Sequence, residues 1–211
     1  MTTHTPHRGG PTIGILGGIA SGKSAAGRLL AGSSGSVIDA DHHARAALGS
    51  PAVIARLREA FGPAVIAPDG TPDRAAIAAH VFRDPAAKQQ LESWIHPAVR
   101  ERMRAELDEA RAAGRGPIVL DVPLLLENDA HHGLVQECDF LVFVDSDAGA
   151  RDQRAVRDRG WKPGEVARRE DTQLPLETKR ARARYVIDNR GEFPELESAI
   201  EDILVAEGLR R

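Results

Sequence analysis

Gly17-Gly18-Ile19-Ala20-Ser21-Gly22-Lys23-Ser24 fills every fixed position of the pattern G-x-x-x-x-G-K-[S/T]. The stretch before it, Thr12-Ile13-Gly14-Ile15-Leu16, is short and apolar and runs into glycines, so it reads as a buried strand. The stretch after it, Lys23–Ala31, reads as a helix. Strand, glycine-rich turn and helix together give the pattern its chemistry. Glycines allow backbone angles that other residues resist. Successive N–H groups then face one concavity, and the helix N-terminus faces the same anion. Gly18, Ile19, Ala20, Ser21, Gly22, Lys23, Ser24 and Ala25 are therefore expected to cradle the phosphates of a nucleoside triphosphate such as ATP. Lys23 is expected to reach the β- and γ-phosphates, and the Ser24 hydroxyl to ligate Mg²⁺. The loop alone does not separate kinases from ATPases or GTPases.

Working outward, Ser36–Asp39, Pro117–Asp121, Asp139–Asp145 and Tyr185–Asp188 are further short apolar stretches, each ending in an acid. Long helical connections separate them, which implies an α/β fold with a parallel sheet flanked by helices. The stretch 42–113 is rich in Ala, Arg and Glu, and Pro51, Pro63, Pro72, Pro85 and Pro97 punctuate it. Because proline favours the first turn of a helix, helices are predicted near 51–61, 73–82, 84–94 and 97–113. This insertion is too long for a simple crossover and is expected to form a helical substrate-binding subdomain. The nucleotide-binding core comprises 11–41, 114–146 and 185–211, with a closing helix at 195–207. Residues 147–184 form a basic helical lid, and 1–10 a polar, disordered lead-in without a signal-peptide core.

The chain has 211 residues and a net charge of −3, so no global charge favours nucleic acid. Residues 151–184 nevertheless hold eleven Lys/Arg against six Asp/Glu, a local +5 on an acidic remainder. Such a patch can steer a small anion. Cys138, the single cysteine, forms no internal disulfide and is read as a packing thiol in a reducing, cytoplasmic setting. No apolar run approaches membrane-spanning length, and a monomer or weak homo-oligomer is expected.

Ligands on such sheets collect at the carboxyl ends of the strands. Asp39 and Asp41 follow the second strand, and Asp121 ends the third. Transfer to a hydroxyl needs a group that orients the acceptor and takes its proton. Asp41 is the first candidate for that base and Asp39 the second, with helix capping as the plain alternative for Asp41. Asp121 suits the Mg²⁺ shell. Glu127 is either a surface acid or a group that orients substrate. Arg154, Arg157, Arg159 and Arg169 are candidates to bring charge to the transferring phosphate, against surface pairing with Asp152, Asp158 or Glu170. Trp161 either stacks on adenine or fills an apolar gap. The adjacent pairs His42-His43 and His131-His132 do not make a zinc pattern.

Taken together, these blocks resemble the dephospho-coenzyme A kinase family from about Ile13 to about Gly191. Gly14–Ser24 resembles the family's G-L-T-G-G-I-G-S-G-K-S, and Asp39-Ala40-Asp41 with Ala44-Arg45 resembles D-A-D-x-x-A-R. Asp73-Arg74, Val81-Phe82 and His96-Pro97-x-Val99 follow in family order. Pro123–Glu127 resembles P-L-L-F-E. Arg169, Gln173, Lys179 and Val186-Ile187-Asp188-Asn189-x-Gly191 resemble the remaining elements. Departures from the pattern are Leu16 for Thr, Ala20 for a loop Gly, Leu126 for Phe, and Arg184 and Asp158 at positions where Asp and Arg are common. The resemblance implies a P-loop kinase with a helical coenzyme A-binding domain and a mobile lid. It implies transfer of the ATP γ-phosphate to the ribose 3′-hydroxyl of dephospho-coenzyme A. It also implies Asp41 as the base, Arg154 and Arg169 as the lid arginines, and Asp39, Arg45, Arg74, His96 and Glu127 towards the acceptor. Another small-molecule kinase of shikimate or nucleoside type is the nearest alternative, disfavoured by the helical insertion and His96-Pro97. A non-catalytic, GTPase-like switch would need an N-K-x-D signature, which Asp188–Gly191 does not supply.

Overall fold

The computed structural model describes residues 10–209. The lead-in expected over 1–10 lies, apart from Gly10, outside the described residues. Five strands form one sheet: β1 (Thr12–Gly17), β2 (Ser36–Asp39), β3 (Ile118–Asp121), β4 (Phe140–Asp145) and β5 (Tyr185–Asp188), in the order β2-β3-β1-β4-β5. β1 pairs in parallel with both β3 and β4, and β4 pairs in parallel with β5. All-parallel pairing explains why these strands read as continuous apolar runs: helices cover both faces.

The helices are α1 (Lys23–Ala31), α2 (Ala40–Leu48), α3 (Pro51–Phe61), α4 (Arg74–Arg83), α5 (Pro85–Ala113), α6 (Asp129–His132), α7 (Ala148–Arg159), α8 (Glu165–Glu170), α9 (Leu176–Arg182) and α10 (Phe193–Ala206). The chain divides into two compact units. One contains the sheet and runs up to Ile38 and from Leu107 onward; the other is Asp39–Glu106.

In the sheet unit, Ile13, Ile15, Val119, Val142, Val144 and Ile187 are fully or almost fully buried, under Leu30 of α1 and Leu196, Ile200 and Leu204 of α10. At about 25 cal/mol per Å², each such side chain contributes about 1.5–3 kcal/mol relative to exposure. The segment 147–184 holds α7, α8 and α9, and α9 lies against β1 and β4.

The Asp39–Glu106 unit has its own core of Val53, Leu57, Val65 and Ile77, with Phe61 and Trp94 packed on it. Its helix starts use short polar caps. Ser50 Oγ accepts from Val53 N, and one Asp73 oxygen accepts from Ala75 and Ala76 N. Asp84 does the same for Ala86 and Ala87 N. The prolines at 51 and 85 open α3 and α5 as the sequence predicts.

Pro97 behaves differently. The two helices predicted at 84–94 and 97–113 are one, with Pro97 inside it. The proline ring removes one i→i−4 bond and crowds the Ser93 carbonyl, a local cost of about 3 kcal/mol. Burial of Ala87 before it and of Met103 and Leu107 after it offsets that cost. α5 runs through the division between the two units, its residues up to Glu106 belonging to the helical unit and those from Leu107 to the sheet unit. The last turns of α5 serve the sheet unit, where the Arg111 guanidinium donates to Glu137 at 2.8 Å and to the Glu137 carbonyl at 3.0 Å.

Candidate active site

The loop after β1 runs into α1, which starts at Lys23 with Gly22 as its N-cap. The Asn189 side chain, at the end of β5, donates to the Ser21 carbonyl at 2.7 Å. A Cβ on Gly22 would come within 2.3 Å of that Asn189 nitrogen, and Gly22 has φ +96°. Glycine is therefore required there both by backbone angle and by the close approach of Asn189. Ala20, the departure from the family pattern, has φ +57°. An L-residue in that region costs about 1–2 kcal/mol, so neighbouring contacts must hold the turn. Arg154 is one of them: its guanidinium donates to the Ala20 carbonyl at 3.3 Å and to Ser146 Oγ at 3.0 Å. Inside the turn, Ser21 Oγ is buried and lacks a hydrogen-bond partner among the described residues.

Lys23 folds back over the loop, its Nζ donating to the carbonyls of Gly18 at 2.7 Å and Gly17 at 3.2 Å. Burial pushes its pKa from 10.5 down to about 8; Asp121 opposes the shift, while Lys179 and Arg159 add to it. The sign gives a prediction. An arriving polyanion favours the charged amine and raises this pKa again. Nucleotide binding at about pH 8.5–9 is therefore expected to take up as much as one proton. Well below pH 8 the amine is charged before and after binding, and no uptake is expected from it. Calorimetric titration in buffers of different ionisation enthalpy measures this, and Lys23→Met should abolish the uptake. For stability, the unfolded chain keeps this proton until about 10.5 and the folded chain releases it near 8. Lys23 therefore makes the fold more stable as pH rises through that window.

Ser24 Oγ donates to Asp121 Oδ2 at 2.8 Å, joining the start of α1 to the end of β3. A hydroxyl and a carboxylate at one point, beside a cradle of backbone N–H groups, suit a small hard cation that takes its other ligands from water and phosphate. The residues present thus fit Mg²⁺.

The acids after β2 divide the work otherwise than the capping alternative for Asp41 supposes. Asp39 is the N-cap of α2, its side chain accepting from His42 N at 3.0 Å. Asp41 stands two residues further on, in the first turn of α2, and is exposed. Arg45 on α2, Arg74 at the start of α4 and His96 in α5 are exposed on three helices of the Asp39–Glu106 unit. His43 is buried and meets Glu106 at 2.5 Å.

Glu127 sits in a buried ion pair: Lys179 Nζ donates to it at 2.7 Å, and Leu174 N donates to it at 3.2 Å. Gln173 accepts a further bond from Lys179 at 3.0 Å. Arg169 points elsewhere than Arg154. It donates to Glu165 at 2.7 Å and lies 4.1 Å over the Trp161 ring, so Trp161 packs under an arginine. Hydrogen bonds from Arg168 and Arg169 hold the Glu165 carboxyl down to about 2. Arg157 forks onto Asp158 in an exposed pair. Burial pushes the Cys138 thiol up to about 12, leaving it a packing group.

Sequence reading missed Arg151 and Glu170. Arg151 is buried, and its guanidinium meets Glu170 at 2.5 Å; Glu170 also accepts from Ile19 N at 2.6 Å. A lone acid at the end of one short helix and a lone arginine on another carry no local signal. The strand-end rule could have flagged Asn189 as a site residue, since it follows β5 directly.

The loop after β1, the Ser24–Asp121 pair and the parallel order β2-β3-β1-β4-β5 define a P-loop nucleotide-binding fold. A shikimate kinase from Acinetobacter baumannii, in complex with shikimate, has this fold at TM-score 0.52 and 15% identity, covering 94% of each chain. The dephospho-CoA kinase family model matches residues 11–195, and the chain belongs to that family. A dephospho-CoA kinase from Anaeromyxobacter dehalogenans is 41% identical over 197 residues, 92% of this chain and 90% of that protein. The crystal structure of TT1252 from Thermus thermophilus aligns at TM-score 0.74 and 33% identity, covering 94% of this chain and 98% of that one. No helix among the described residues is long and apolar enough to cross a membrane.

Proposed function

We propose that the protein transfers the γ-phosphate of ATP to the ribose 3′-hydroxyl of dephospho-coenzyme A, releasing ADP and coenzyme A. The observation that carries the reading is the family match over 11–195, laid on a loop where Lys23, Ser24 and Asp121 converge. The N–H groups from Gly18 to Ala25, apart from that of Ile19, which Glu170 holds, bind the phosphates. Lys23 leaves the Gly17 and Gly18 carbonyls for the β- and γ-oxygens, where its charge opposes the negative charge that develops. Ser24 and Asp121 would hold Mg²⁺, which would supply positive charge to offset that of the phosphates. Arg154 brings a second positive group to the outer edge of the loop, and Arg169 joins it when the 147–184 segment rearranges around nucleotide. Asp41 orients the acceptor hydroxyl and takes its proton. Asp39, Arg45, Arg74, His96 and Glu127 contribute to the acceptor side.

The test is ADP release coupled to product analysis, with dephospho-coenzyme A, shikimate and nucleosides offered as acceptors. ADP release is expected to rise with dephospho-coenzyme A alone, with a 3′-phosphorylated product. Stimulation by shikimate or a nucleoside, and none by dephospho-coenzyme A, would overturn the assignment.

A further inference from the structure

We propose that Arg151 and Glu170 are positioning residues, a charge-neutral clamp that holds the Gly18–Ala20 turn in the shape that receives phosphate. The starting point is a backbone N–H. Ile19 N, within the phosphate loop, donates at 2.6 Å to Glu170 Oε1, 151 residues away. A carboxylate at this place is electrostatically awkward, because the neighbouring cradle receives a polyanion. Arg151 resolves the conflict: its Nη1 meets the same Glu170 oxygen at 2.5 Å. The guanidinium is itself fixed, since Arg151 Nε donates to the Ser146 carbonyl at 3.2 Å. Both side chains are shielded, at 6% and 14% exposure, so the pair is weakly screened by solvent.

The pair lies directly on the loop. A Cβ built on Gly18 would come within 2.5 Å of Arg151 Nη1 and 2.7 Å of Glu170 Oε1. The turn it presses on needs holding, because Ala20 is in the left-handed region at φ +57°. Arg154, one turn along α7 from Arg151, grips the next carbonyl. α7 and the end of α8 thus fasten the loop from outside by three side chains, of which Glu170 supplies the acceptor and Arg151 cancels its charge.

The clamp acts through loop geometry, so it governs nucleotide affinity more than acceptor affinity. Where a binding-competent shape falls to about a tenth of the population, the apparent Kd rises about tenfold. Glu170→Ala is expected to weaken ATP binding by about that factor, with the acceptor KM within about twofold of wild type. Glu170→Gln keeps an oxygen for Ile19 N and should stay within about threefold of wild type. Arg151→Ala leaves a bare carboxylate beside the triphosphate and should weaken ATP more than Glu170→Ala does. Adding Glu170→Gln to Arg151→Ala removes that charge and should restore most of the loss.

The inference rests on the kinase reading for its ligand, but direct calorimetric titration with ATP, without acceptor, decides it separately. Failure of wild-type protein to phosphorylate dephospho-coenzyme A would sink the reading of the acceptor and leave this comparison of affinities intact. Thermal midpoints accompany each titration. The clamp is refuted if Glu170→Ala binds ATP within twofold of wild type. It is equally refuted if the double variant binds no better than Arg151→Ala, or if the ATP and acceptor KM values rise together with a falling midpoint.

Discussion

Lys23→Ala is expected to lower turnover by about 10²–10³-fold, the usual loss when one preorganised charge or donor at a developing anion is removed. The amine is already inside the loop, 2.7 Å from the Gly18 carbonyl, so little reorganisation separates its resting place from the phosphates. Burial has lowered its pKa to about 8, and that desolvation is what makes its charge effective against a phosphoryl group in transfer. The variant should also bind ATP more weakly, yet keep its fold, because Lys23 contributes nothing to the apolar core beneath α1. Lys23→Arg should rescue little: a planar guanidinium does not fit a space that the ammonium shares with two carbonyls. Steady-state kinetics with saturating acceptor, together with a thermal midpoint, give the result. Turnover within threefold of wild type would remove the loop from the reaction.

The central strands were legible because burial on both faces makes them unbroken apolar runs. β2 and β5 fall where the sequence places them, and β1, β3 and β4 differ by one residue at an end. The helix starts at Pro51 and Pro85 were legible for a local reason, the fit of proline to a first turn. Pro97 obeys the same residue preference and defeats it, since burial along α5 outweighs one lost hydrogen bond. That balance is set by tertiary packing and has no expression in the local pattern.

The site divides in the same way. Gly17–Ser24 and Asp121 stood out as candidates because a phosphate cradle and a cation ligand demand particular residue types at particular places on the chain, and the fold brings Ser24 and Asp121 together. Arg151 and Glu170 meet across a break between two helices, and both resemble ordinary surface charges in a basic segment. Arg154 and Arg169 look alike in sequence; only the fold shows one on the Ala20 carbonyl and the other on Glu165 and Trp161. Asp39 and Asp41 also look alike, and only the backbone shows which of them caps α2.

That last distinction sets up the second large effect. Asp41→Asn is expected to lower turnover by about 10²-fold or more, within the usual range for loss of a general base. Asparagine keeps the shape of the side chain and loses its basicity. ATP binding should therefore change little, with Kd within about twofold, because the proposed phosphate site is the loop and not Asp41. Asp39→Asn is the matched control. Asp39 is engaged as the cap, accepting from His42 N at 3.0 Å, and asparagine caps a helix about as well as aspartate. Its turnover should stay within about tenfold of wild type, and the fold should be unchanged. Single-turnover measurements with enzyme in excess isolate the transfer step from product release, so they read the base directly. If Asp39→Asn is the crippled variant and Asp41→Asn transfers at the wild-type rate, the base is Asp39. Its carboxylate would then have to cap α2 with one oxygen and take the proton with the other.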